Sequence, residues 1–179
     1  MPDDSFEKRY ARLIAPSYFL AFLLLLLPFL DYGASIWPMQ LGAVNWRYGA
    51  AGLLGGFLLT PLLGVLLLGG LGVMLEGKKT LGFTGIVCLF LGALLLLVDV
   101  SFVLDAVQMR GNVPKEQIRV FDAGVVKAVL KHLTGALFSW MLAFACFRAL
   151  GALAKRGARE VRSPDALVMG GSNKPAGRV

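Results

Sequence analysis

Four long apolar runs constrain this chain more than any other feature. They are Leu13 to Leu30, Tyr48 to Leu75, Leu81 to Val98, and Leu133 to Leu153. A helix needs ~20 residues to cross a hydrocarbon core of about 30 Å, and each run reaches or approaches that length. The first contains five consecutive leucines, Leu23 to Leu27. The second is long enough to require tilt or protrusion. The third continues past Asp99 as Val-Ser-Phe-Val-Leu. Composition agrees: 57% of residues are hydrophobic and only 16% charged, whereas a soluble domain is about 25% charged. A disordered chain is excluded, and a water-soluble globule is disfavoured. The expectation is an all-α integral membrane protein, a four-helix transmembrane bundle in contact with the lipid bilayer.

Charge orients the bundle. The start carries Asp3, Asp4 and Glu7, too acidic for the n-region of a signal peptide, so the first run reads as an uncleaved span. Four spans put both termini on one side. That side holds twelve basic residues, from Lys8 through Lys78, Lys79 and Arg148 to the tail. The other side holds six: Arg47, Arg110, Lys115, Arg119, Lys127 and Lys131. The positive-inside rule then places both termini in the cytoplasm. Residues 1–12 form a cytoplasmic segment, 13–156 the transmembrane domain, and 157–179 a mobile cytoplasmic tail. With 18 Lys+Arg against 11 Asp+Glu, a soluble protein would suggest nucleic acid. Here the cations flank spans, and no nucleic-acid partner is expected.

Residues 99–132 predict a helical hairpin projecting on the non-cytoplasmic side. Gly111-Asn112-Val113-Pro114 combines a C-cap glycine, an N-cap asparagine and a first-turn proline. A tight turn near 111–113 makes facing residues total about 225. Asp105 then pairs with Arg119, and Asp99 with Lys127.

Small residues recur at four-residue spacing in three spans: Gly52, Gly56, Thr60 and Gly64; Thr84, Cys88 and Gly92; Gly135, Ser139 and Ala143. Small residues let helix backbones approach closely in lipid, where no hydrophobic drive operates between helices. Pro61 predicts a kink in the second span.

Chemistry is sparse. There is one histidine, His132, and two cysteines within apolar runs. No CxxC, HExxH or glycine-rich phosphate loop occurs, so no catalytic or metal site is expected and the chain is read as a non-enzyme. Ala128-x-x-x-His132 resembles the pigment-binding spacing of bacterial light-harvesting polypeptides. The resemblance implies a bacteriochlorophyll-type pigment ligated by His132. Lys131 and an interfacial position depart from that setting, so the residue is read as part of the helix-pair surface, with no cofactor.

Trp37-Pro38 and Trp46-Arg47-Tyr48-Gly49, with the glycine-rich span after them, resemble uncharacterised four-span proteins of the bacterial inner membrane. The resemblance covers about a third of the chain and implies location alone. Packing stripes, a pairable hairpin and little chemistry suggest a non-catalytic accessory or scaffolding subunit of a larger membrane complex, photosynthetic or respiratory. The alternative is a small transporter or channel using Asp99, because acidic residues in spans are commonly functional.

Overall fold

A computed structural model describes the backbone of residues 4–162 and the side chains of residues 12–156. The backbone of 4–12 belongs to α1 and that of 157–162 to α5, while residues 1–3 and 163–179 lie outside the described residues. All described elements are helical: α1 (Asp4–Ser35), α2 (Val44–Phe57), α3 (Leu59–Met74), α4 (Lys78–Arg110), a 3-10 turn (Lys115–Gln117) and α5 (Ile118–Arg162). Three helices are long and apolar enough to cross a membrane, and α2 with α3 makes a fourth candidate if the bent pair is one span. This fits a multi-pass membrane protein.

The second apolar run is broken rather than merely kinked. Its two halves meet at 46° around Leu58. Pro61 has no N–H to give the Phe57 carbonyl one turn back, and its ring crowds that carbonyl. The ladder resumes with Leu62 N–H donating to the Leu58 carbonyl at 3.2 Å. The break has a consequence for the stripe of Gly52, Gly56, Thr60 and Gly64, which does not form one face. Gly52 faces the Phe102 ring of α4, Gly56 faces open space, and Gly64 lies against the backbone of α1 at Ala21 and Leu25.

The centre of the molecule is the antiparallel pair α4–α5. Along α4 the buried positions include Leu81, Thr84, Cys88, Leu91, Leu95, Asp99, Phe102 and Asp105, a three-four spacing that makes one face of a helix. The facing stripe on α5 is small: Ala128, His132, Ala136, Ser139, Ala143 and Cys146 are all buried. Leu137, Met141 and Phe144 on the same helix are exposed. Small side chains inward and large ones outward let α5 settle close to α4. The α4 and α5 stripes read from sequence thus pack largely against each other, within the chain. By contrast, α1 is peripheral: only 6% of its apolar window is buried, against 33% for α4.

The α4–α5 register differs from the expected one. Arg110 pairs with Asp122 at 2.9 Å, His132 with Asp99 at 3.2 Å, and Gly92 meets Trp140. The partners' numbers total 231 or 232, not about 225. Asp105 does not pair with Arg119, nor Asp99 with Lys127; both basic side chains are exposed. The reason is local. Pro114 opens a 3-10 turn, with Gln117 N–H donating to the Pro114 carbonyl at 2.9 Å, and α5 begins only at Ile118. The connection runs from Gly111 to Gln117, wider than a tight turn, and slides α5 along α4. In a background with Cys88 and Cys146 replaced by alanine, cysteines at 110 and 122 should link with a short bis-thiol reagent. Cysteines at 105 and 119 should not; the reverse pattern on a denaturing gel would restore the narrower turn.

Candidate functional site

Among the described residues, the buried ionisable side chains Asp99, Asp105 and His132 gather toward the hairpin end of α4. Asp99, Phe102 and Asp105 follow at intervals of three on its inner face and are all buried. Each finds a partner on a different helix. His132 of α5 meets Asp99 through Nδ1, 3.2 Å from Oδ1. Arg47 of α2 grips Asp105 with two donors, Nε to Oδ2 at 3.1 Å and Nη2 to Oδ1 at 2.7 Å. A forked guanidinium matches a carboxylate in this way, with geometric as well as electrostatic specificity. The remaining nitrogen, Nη1, donates to the Leu41 carbonyl at 2.9 Å and so ties down the loop before α2.

Between the two ion-pairing levels sits an aromatic stack. Tyr48 of α2 lies between Phe102 and Phe121, at centroid distances of 4.9 and 5.3 Å. Phe102 also presents its ring edge-on to His132 at 6.1 Å. Gly52 leaves space for the Phe102 ring, since a Cβ there would stand 3.5 Å from it. The layers Asp105–Arg47, Phe102–Tyr48–Phe121 and Asp99–His132 join α2, α4 and α5 into one unit.

His132 lies fully buried where α5 packs on α4. Asp99 fixes its ring through Nδ1, an arrangement that also orients histidine ligands in metal sites. The other nitrogen, Nε2, has no hydrogen-bond partner and points at α2. A Cβ on Gly55 would stand 3.4 Å from it. A tetrapyrrole ring centred on Nε2 would run into α2, so these residues do not fit the pigment that the Ala128–His132 spacing implies. Among the described residues no three His, Cys, Asp or Glu side chains gather as a metal site.

The polar layers do not continue through the molecule. Leu91, Leu95 and Ala136 fill the core next to them. Beyond that, Ser139 returns its hydroxyl to the Gly135 carbonyl of its own helix at 2.8 Å. Thr84, Cys88 and Cys146 are buried farther toward the opposite end.

Arg47 is the ion-pairing side chain that the sequence does not single out: there it counts as a topological charge and as one letter of the Trp46–Gly49 segment. Its setting held the signal, a lone arginine at the start of an apolar run between Trp46 and Tyr48. The tight-turn register assigns Asp105 to Arg119 and so hides the match. No family model, curated protein or solved structure matches this chain.

Proposed function

We propose that this chain is a non-catalytic accessory or scaffolding subunit of a larger membrane protein complex. It is read as a four-span bundle, with α2–α3 as one broken span, cytoplasmic termini and the α4–α5 hairpin on the opposite side. The observation that carries the reading is that the buried carboxylates end on partners within the chain, each tying a neighbouring helix to α4. Among the described residues neither buried carboxylate is left without a partner. The outward surfaces support it as well. An α5 of 45 residues is about 67 Å long, far more than a ~30 Å core. Past the Asp99–His132 level the hairpin leaves Leu104, Val107 and Val120 at least 60% exposed. Apolar side chains beyond the hydrocarbon are suited to a protein partner.

The test is extraction from native membranes in a mild detergent, followed by native mass determination. The chain is expected with other chains at a fixed stoichiometry. A chain that always emerges alone overturns the reading. One observation favours a second function, transport through Asp99: the unpartnered Nε2 of His132 beside it is a proton-accepting or -donating atom in a low-dielectric setting. In reconstituted vesicles, transport through this pair requires a proton-coupled flux that Asp99→Asn abolishes. The scaffold reading expects no flux from either protein.

A further inference from the structure

The bend at Leu58 opens a lateral groove of about 880 Å³ between the α2–α3 break and α5. That volume lies within the ~300–1,000 Å³ of small-molecule clefts. Its floor includes Gly55, Gly56 and Gly135, and Leu58, Leu59 and Leu62 form one wall. The other wall is α5, where Lys127 and Lys131 stand one helical turn apart and share a face. Asp122 also borders the groove, but it is held by Arg110 at 2.9 Å. Among the described residues neither lysine has a carboxylate within ion-pairing distance, as the four pairs involve other cations.

The groove therefore has two free cations along its α5 wall, facing an apolar floor and wall of Gly55, Gly56, Leu58, Leu59 and Leu62. On α5 the groove runs from Asp122 to Gly135, about 20 Å along the helix at 1.5 Å per residue, against the ~30 Å of a full span. The groove is too short to seat a transmembrane helix and matches one acyl chain. We infer that the groove binds one anionic phospholipid. Lys127 and Lys131 hold its phosphate, and one acyl chain lies over Gly55 and Gly56 toward Leu62. Basic pockets between transmembrane helices recognise lipid headgroups by this chemistry. A second groove, about 470 Å³ between α1 and α4, is bounded by Phe22, Phe90 and other apolar side chains without a cation. It offers no headgroup contact and serves as an internal control. The inference does not rest on the partner reading above.

The full chain is purified in detergent, placed in nanodiscs of phosphatidylcholine with a minor share of phosphatidylglycerol, and examined by native mass spectrometry. One retained phosphatidylglycerol is expected, enriched roughly thirtyfold over the bulk ratio, the scale of two lysines near an anionic headgroup. Lys127→Gln with Lys131→Gln should bring that ratio close to bulk. Gly56→Leu should remove the retained lipid, whatever its headgroup. An added Cβ at Gly56 meets nothing within 4 Å, so the new side chain starts into the groove without a clash at Cβ. Leu59→Trp, at a side chain 70% exposed, provides a second block from the facing wall. Phe90→Ala, in the control groove, should leave retention unchanged. Bulk-ratio retention by the wild type, or a preference that survives loss of both lysines, overturns the inference. So does a Gly56→Cys thiol protected from maleimide in native membranes yet reactive in nanodiscs, because another protein chain would then fill the groove.

Discussion

Replacing Asp99 with leucine should destabilise the protein more than replacing Asp99 and His132 with leucine together. The single change strands a fully buried imidazole. His132 has 0% exposure and its only polar partner is Asp99, so Nδ1 joins Nε2 as an orphan. A buried polar group left without a partner costs about 1–3 kcal/mol, whereas removing both partners is nearly neutral if shape is kept. Leucine is close to both side chains in size, and the surroundings are already apolar at Leu95 and Phe102. The expected order of thermal midpoints in a fixed detergent is wild type close to the double variant, with Asp99→Leu clearly lowest. At this chain length each kcal/mol moves the midpoint by about 2–4 °C. Additive losses in the double variant would show that the two side chains do not act as a pair.

The second large effect concerns Gly64. It is the point where α3 crosses α1, and a Cβ there would stand 2.9 Å from the Ala21 carbonyl oxygen and 2.9 Å from the Leu25 nitrogen. Both are backbone atoms and cannot rotate aside. Ala21, across the contact, has no exposed surface. Even Gly64→Ala must push the helices apart, and overpacking of this kind costs about 1–3 kcal/mol. Gly64→Leu should release α1, which packs mainly on α3 and is otherwise held by contacts such as Tyr18 with Thr80 at 3.2 Å. Limited proteolysis in the 36–43 connection reports this directly, with cleavage rising at least ~10-fold for Gly64→Leu, and less for Gly64→Ala. Gly56→Leu supplies the contrast, because its Cβ meets nothing. Equal cleavage in the two leucine variants would refute the close crossing.

Much of the fold was legible because apolar length and small-residue spacing are direct physical signals. The four runs emerge as α1, the bent α2–α3 pair, α4 and α5. Thr84, Cys88, Ser139 and Ala143 are buried on the faces their spacing predicts. Pro61 announced the break, because a missing N–H acts within its own helix. What could not be read was relative position. The α4–α5 register depends on whether Pro114 starts an α-helix or a 3-10 turn, a difference of small energies. That choice moved Asp105 from Arg119 to Arg47, and Asp99 from Lys127 to His132. The second-span stripe failed for a related reason: a 46° bend sends Gly52 and Gly64 to different neighbours. The groove over Gly56 is a product of that bend and had no signature of its own.

On the function proposed above, the buried polar groups hold helices together and perform no chemistry. The most direct measurement is the fate of the Asp99→Leu, His132→Leu double variant in native membranes. It should join the same partner chains at the wild-type stoichiometry, with the activity of the host complex unchanged. A double variant that folds and assembles normally, yet leaves the complex or its proton-coupled activity impaired, would contradict the account and give the pair a chemical role.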